Sequence, residues 1–103
     1  MEFKLRNNRE ALTGFVQGVV MSYDRGNSLL KYFKFFDVIV KVGKEGTTII
    51  SIEPHTNDYQ VLNPQTIVVT AETTLNYVIE QVERSCELIH EEYVRFYLNV
   101  NNG

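Results

Sequence analysis

The most restrictive feature of this sequence is a run of apolar residues at helical spacing in its last third. The members of this run lie alternately four and three residues apart: Leu75, Ile79, Val82, Cys86, Ile89, Tyr93, Phe96 and Val100. Such heptad spacing places these side chains along one face of an α-helix. We therefore predict a helix over about residues 71–98, with Thr70 as its N-cap.

The predicted helix is long compared with the domain that carries it. At 1.5 Å per residue it would measure roughly 40 Å, whereas a 100-residue domain has a radius of gyration of about 13 Å. We therefore expect an apolar end to extend past the core, with Tyr93, Phe96 and Tyr97 forming a homodimer interface or docking a partner. The alternatives are that this end packs on the protein's own sheet or that the helix breaks there.

Strand-forming residues dominate the first two thirds. Residues 32–42 are aromatic and β-branched on both alternating faces, which is typical of a central strand buried on both sides. Turn-forming residues 43–46 lead to a second strand over 47–53, which we expect to stop before Pro54, because proline cannot donate to a continuing ladder. Further short strands are expected over residues 1–5, 59–62 and 66–69.

Residues 12–23 fit two kinds of structure, because their apolar side chains satisfy helical spacing and some also suit a strand. Gly14 and Gly18 would each cost a helix interior about 1 kcal/mol relative to alanine, whereas in strands such glycines often mark bulges. We therefore favour a strand here, followed by a turn or mobile loop over 24–28. The whole chain, 1–103, is then one α+β domain: a small curved antiparallel sheet or partly closed β-barrel over 1–70, packed by one long C-terminal helix.

Composition limits the class of protein. With 44% hydrophobic residues in 103, the chain can support a single core, and its one cysteine excludes a disulfide scaffold and favours a reducing compartment. The uncharged run over residues 11–23 contains two glycines and a glutamine, and it is shorter than the roughly 20 residues that span a bilayer. We therefore expect a cytoplasmic protein without a signal peptide or membrane segment.

Catalytic and metal-binding patterns are sparse. His55 and His90 are the only histidines; His55 falls in the expected loop after Pro54, and neither lies in a metal-ligand motif. Cys86 occupies a core-facing position of the heptad, where a thiol acts as a small hydrophobic group. Nucleotide-binding and nucleophile motifs are missing from the sequence. We therefore expect no enzyme activity, no metal and no cofactor.

Charge is unevenly distributed along the chain. Residues 1–44 carry eight Lys and Arg against four Asp and Glu, a net charge of +4, and residues 45–103 carry two against nine, a net charge of −7. Either the basic half meets an anionic partner, or the two halves attract each other within the fold. Cations alternate with aromatic rings in the basic half, an arrangement suited to phosphates and unpaired bases. The candidate nucleic-acid-binding residues are Arg25, Lys31, Tyr32, Lys34, Lys41 and Lys44.

The opening segment Thr13-Gly-Phe-Val-Gln-Gly-Val-Val20 and the strand over 31–42 give the chain a resemblance to the PrgU family, small β-barrel regulators encoded on Gram-positive conjugative plasmids. The resemblance implies a PUA-like barrel and an intracellular RNA-binding regulator that limits production of a toxic surface adhesin. Our leading prediction is a non-catalytic intracellular regulator that binds RNA or another single-stranded nucleic acid through the basic, aromatic N-terminal surface. The alternative is a protein-interaction module, such as a mobile-element inhibitor or adaptor, that acts through the acidic C-terminal helix.

Overall fold

A computed structural model describes residues 8–27, 33–57 and 60–98 of the chain. Its elements, in chain order, are helix α1 (Arg9–Asn27), strands β1 (Phe33–Val42), β2 (Thr48–Thr56) and β3 (Gln65–Val69), helix α2 (Leu75–Glu92) and a π-helical segment (Tyr93–Leu98). The strands form an antiparallel sheet in the order β1-β2-β3. The α+β class, with a small sheet and a long C-terminal helix, is therefore confirmed, and the described sheet is open rather than partly closed into a barrel.

The two helices pack against each other and cover one face of the sheet. Helix α1 contacts β1, and α2 contacts β3. Side chains at alternate positions of β2, from Thr48 to Thr56, are buried, as expected for a central strand that has one face under the helices. The core joins this face to three apolar residues of α1, Leu12, Val16 and Val20, which are at most 4% exposed.

Residues 12–23 form most of helix α1, so the prediction of a strand there is wrong, as is the turn over 24–28 at least as far as Asn27. Asn8 caps the helix, because its Oδ1 accepts a hydrogen bond from the Ala11 N–H at 3.0 Å. Gly14 and Gly18 lie on the exposed side, where an added Cβ would meet nothing within 4 Å. The segment 13–20, one of the two segments that carry the PrgU resemblance, is thus helical.

Helix α2 begins four residues later than predicted. Thr74, rather than Thr70, is its N-cap, and its hydroxyl accepts a hydrogen bond from the Tyr77 N–H at 3.1 Å. Thr70 instead belongs to a turn in which the Thr73 N–H donates to its carbonyl. Of the predicted apolar stripe, Val82, Cys86 and Ile89 are buried; Leu75 is 46% exposed, and Val78 takes its place in the core. The helix widens into the π-helical segment after Glu92, so part of the predicted end is not α-helical.

The predicted hairpin between residues 32–42 and 47–53 is present as β1 and β2. Gly43 and Thr47 close it, with the Gly43 N–H donating to the Thr47 carbonyl at 2.9 Å. In the described sheet, however, β2 is central and β1 pairs with β2 alone, so the placement of β1 as a central strand is wrong. One of its faces looks away from the helices, which leaves Phe35 45% exposed.

Strand β2 continues through Pro54 to Thr56, beyond its predicted end. Pro54 cannot donate a hydrogen bond, but its carbonyl accepts one from the Leu62 N–H at 3.0 Å. The expected strand over 59–62 is reduced to an isolated bridge between His55 and Val61, whereas the strand expected over 66–69 is present as β3. The expected strand over 1–5 lies outside the described residues. Within the described part of the chain, no helix is long and apolar enough to cross a membrane.

Candidate functional site

The predicted nucleic-acid-binding residues do not form one cluster in the described structure. Lys34 and Lys41 are exposed on β1, and their seven-residue separation amounts to about 23 Å along a strand. Lys44 is exposed in the hairpin turn, and Arg25 lies near the end of α1. Lys31 and Tyr32 lie outside the described residues.

The aromatic run beside these cations divides between the core and the surface. Phe33 is 1% exposed and Phe36 packs against the core, with their ring centroids 5.2 Å apart. Phe35 is the exposed member, and its ring stacks on the His55 imidazole at a centroid distance of 4.2 Å and an interplanar angle of 16°. Two of these rings are therefore committed to packing and are not free to stack on bases.

A cleft of about 370 Å³ lies between α1 and β1, next to Phe35. Apolar side chains form most of its wall, and Lys34 also lines it. Met21, on α1, is 59% exposed beside it. This cleft is the place where a predicted cation, an exposed ring and a cavity meet.

A larger and more open groove, of about 570 Å³, runs between α1 and α2. Its apolar walls are half-buried side chains from both helices. The lining residues are Gly14, Phe15, Gly18, Val19, Ser22, Tyr23, Ile79 and Glu83. Because the two glycines carry no side chain, the backbone of α1 is accessible along this groove, which we call the α1–α2 groove.

Four exposed glutamates follow one side of α2 at intervals of three and four residues, which places them on one helix face. This acidic face consists of Glu80, Glu83, Glu87 and Glu91. Glu83 also lines the α1–α2 groove. Burial raises the pKa of the Tyr23 hydroxyl above its ordinary value, and the nearby negative charges of Glu87 and Glu83 raise it further. The negative charge of the acidic face therefore acts on Tyr23, in the C-terminal half of α1.

A third cluster lies on the face of the sheet turned away from the helices. Glu53 and His55 lie two residues apart on β2 and therefore share one face, with His55 Nε2 3.1 Å from Glu53 Oε1. Asp37, on β1, is the cross-strand partner of Glu53. One donor atom from each of the three lies within 4.8 Å of the others. The sequence prediction missed this cluster because it ended β2 at Glu53 and placed His55 in a loop. The spacing Glu53-x-His55 would have revealed it had the strand been continued through Pro54.

The three residues predicted to form an interface, Tyr93, Phe96 and Tyr97, differ in how the structure places them. Tyr93 is half-buried and packs against the core, with its ring centroid 5.0 Å from that of Phe33. Phe96 and Tyr97 lie in the π-helical segment, and their side chains are outside the described part of the structure. Packing of Tyr93 on the protein's own sheet is thus observed, while a homodimer interface at Phe96 and Tyr97 stays a prediction.

No protein-family model, curated protein or solved structure matches this chain.

Proposed function

We propose that this protein is a non-catalytic interaction module that binds a basic, amphipathic segment of another protein along the acidic face of α2 and the α1–α2 groove. The observation that carries the proposal is the position of Glu83, which belongs to the acidic face and also lines the apolar groove. Anionic and apolar surfaces thus adjoin, and a helix with one basic and one apolar side complements both at once.

The groove offers backbone access that the protein's own packing does not use. Gly14 and Gly18 lie one helical turn apart, and a Cβ on either would meet nothing within 4 Å. Small residues at this spacing allow another helix to approach closely. Phe15 and Val19, both half-buried, provide the apolar contacts beside them.

The test compares two double charge reversals that change net charge equally. Glu83→Lys with Glu87→Lys alters the acidic face, and Glu45→Lys with Glu72→Lys alters exposed glutamates outside it. The probe is a fluorescently labelled helical peptide with lysine on one side and leucine on the other, and its anisotropy is measured at about 50 and 200 mM salt. We expect the first pair of changes to weaken binding about tenfold or more, and the second to leave most of it.

Equal loss in both double variants would mean that the peptide senses net charge and not this face, and the proposal would be wrong. Equally, a peptide that does not bind the wild type at low salt contradicts it. Circular dichroism of each variant checks that the fold is retained.

Binding of RNA or another single-stranded nucleic acid is the second candidate function. It is favoured by the exposed Lys34 beside Phe35 and the α1–β1 cleft, where a phosphate and a base could be held together. Asp37 and Glu53 work against it, because they put negative charge on the sheet face that Phe35 shares. An RNA-binding regulator of the PrgU kind belongs to this candidate.

The same anisotropy assay with a labelled single-stranded RNA decides between the two functions. Salt-sensitive RNA binding that is lost on Lys34→Glu and kept on Arg84→Glu, an equal change of charge at an exposed position of α2, would support the nucleic-acid function. We expect instead that the wild-type protein binds the basic peptide and leaves the RNA free.

A further inference from the structure

We propose that Asp37, Glu53 and His55 form a binding site for a divalent transition-metal ion on the open face of the sheet. This site is separate from the acidic face and the α1–α2 groove, since it lies on the opposite side of the sheet from the helices. Two adjacent strands supply its three potential ligands.

The distances among the donor atoms suit a metal ion. Zinc bonds of about 2.0–2.2 Å, meeting at near-tetrahedral or near-octahedral angles, hold neighbouring ligand atoms roughly 3.0–3.4 Å apart. His55 Nε2 and Glu53 Oε1 are 3.1 Å apart, and Asp37 completes a set whose members lie within 4.8 Å of one another.

The donor set selects the class of ion. An imidazole nitrogen with two carboxylate oxygens suits zinc, manganese, iron or cobalt, whereas magnesium and calcium prefer oxygen ligands alone. The imidazole therefore distinguishes this cluster from an ordinary group of surface carboxylates. Three protein ligands leave the remaining coordination positions open to solvent, as in metal sites that bind a further ligand.

The surroundings of the cluster hold the ligands in place. Phe35 stacks on the His55 ring at 4.2 Å and limits its rotation. Asp37 and Glu53 are directly opposite each other on paired strands, an arrangement of like charges that lowers stability without a cation between them. Of the two carboxylates, Glu53 has the His55 imidazole beside it, with Nε2 3.1 Å from Oε1. A divalent cation would relieve the repulsion and use all three side chains.

The experiment is zinc titration of the tag-free protein by isothermal calorimetry at pH 7.5, with cobalt absorption as a second reading. We expect one zinc ion per chain, at least tenfold weaker binding in His55→Gln and in Asp37→Asn, and unchanged binding in His90→Gln. His90 is the matched control, because it is the only other histidine and lies on α2. Visible absorption of the cobalt-loaded wild type should disappear in His55→Gln.

Thermal unfolding separates metal binding from a structural role. Without metal, Asp37→Asn should raise the melting temperature by removing the repulsion from Glu53. With zinc in excess, the wild type should gain several degrees and the variant little. Three outcomes would overturn the site: no zinc binding by the wild type at millimolar concentration, undiminished binding by His55→Gln, or equal loss in His90→Gln.

Discussion

Glu45 has a left-handed backbone conformation, which residues other than glycine and asparagine generally avoid. Its φ is 55°, and Gly46 follows with a φ of 74°, so two successive residues of the hairpin turn are left-handed. The turn is fixed on both sides, because the Thr47 hydroxyl donates to the Lys44 carbonyl at 2.6 Å and the Gly43 N–H donates to the Thr47 carbonyl. Glu45 is therefore held in a conformation that costs about 1 kcal/mol or more.

Replacing Glu45 with a residue that tolerates this conformation should stabilise the protein. We expect Glu45→Asn to raise the free energy of unfolding by roughly 0.5–1 kcal/mol, because asparagine adopts left-handed backbone angles more readily. Urea denaturation measures the change. Glu72→Gln is the control, since Glu72 is also exposed, its φ is not positive, and glutamine keeps an oxygen that can accept the hydrogen bond donated by the Thr70 hydroxyl. A similar gain in both variants would point to removal of negative charge and not to the backbone.

At the scale of elements, the sequence predicts the hairpin of β1 and β2 correctly, but the prediction of a strand over residues 12–23 is wrong, because they belong to helix α1. The hairpin could be predicted because a dense aromatic and β-branched segment and a two-glycine turn both favour it. For α1, two glycines oppose a helix by about 1 kcal/mol each, whereas the periodicity of Leu12, Val16 and Val20 favours one. Burial of each such side chain contributes roughly 1.5–3 kcal/mol, and all three are at most 4% exposed, so packing decides for the helix.

The same reasoning predicts the effect of filling the glycine positions of α1. Gly14→Ala and Gly18→Ala should each stabilise the protein by about 0.5–1 kcal/mol, because alanine is the better helix former and the new Cβ meets no atom within 4 Å. If the α1–α2 groove holds a partner helix, the double variant should also bind the basic peptide more weakly. Thermal unfolding and peptide anisotropy give the two readings. Loss of stability in either single variant would contradict the placement of these glycines.

The packing of α1 on α2 has a consequence at alkaline pH. Burial, together with the charges of Glu87 and Glu83, raises the pKa of Tyr23, so the folded chain keeps this proton above pH 10, where the unfolded chain releases it. The folded state then binds more protons than the unfolded state, and stability falls as pH rises from about 10.

Absorbance at 295 nm as a function of pH follows the ionisation of the tyrosines. We expect Tyr23→Phe to remove a late-ionising tyrosine and to reduce the fall in stability above pH 10. Glu87→Gln should shift that ionisation to lower pH, whereas Glu72→Gln should leave it in place. An unchanged titration in Glu87→Gln would mean that the acidic face does not reach α1.

At the scale of the whole molecule, part of the basic half lies away from the acidic face of α2, although α1, which belongs to the same half, packs against α2. Lys41 and Lys44 lie on β1 and the hairpin turn at one edge of the described sheet, and α2 packs against β3 at the other. No ion pair in the described residues joins these two lysines to the glutamates of α2. The charge asymmetry and the acidic helix are visible in the sequence, but the α1–α2 groove and the cluster of Asp37, Glu53 and His55 are not, because they depend on helix packing and on strand register that bring distant residues together.

The oligomeric state is a property of the whole molecule. The sequence predicts a homodimer contact at Tyr93, Phe96 and Tyr97, whereas the structure packs Tyr93 within one chain. Tyr93 packs on Phe33 within one chain, so Tyr93→Ala should lower the free energy of unfolding by roughly 2 kcal/mol at every protein concentration, less than the 3–5 kcal/mol typical of fully buried aromatic residues.

Phe96 and Tyr97 are predicted to contact a second copy. If they do, the unfolding temperature of the wild type should rise with protein concentration, and Phe96→Ala should abolish that dependence. Sedimentation equilibrium at the same concentrations gives the masses directly. A monomer throughout, with an unfolding temperature independent of concentration, would contradict the homodimer and leave Tyr93 with its packing role alone.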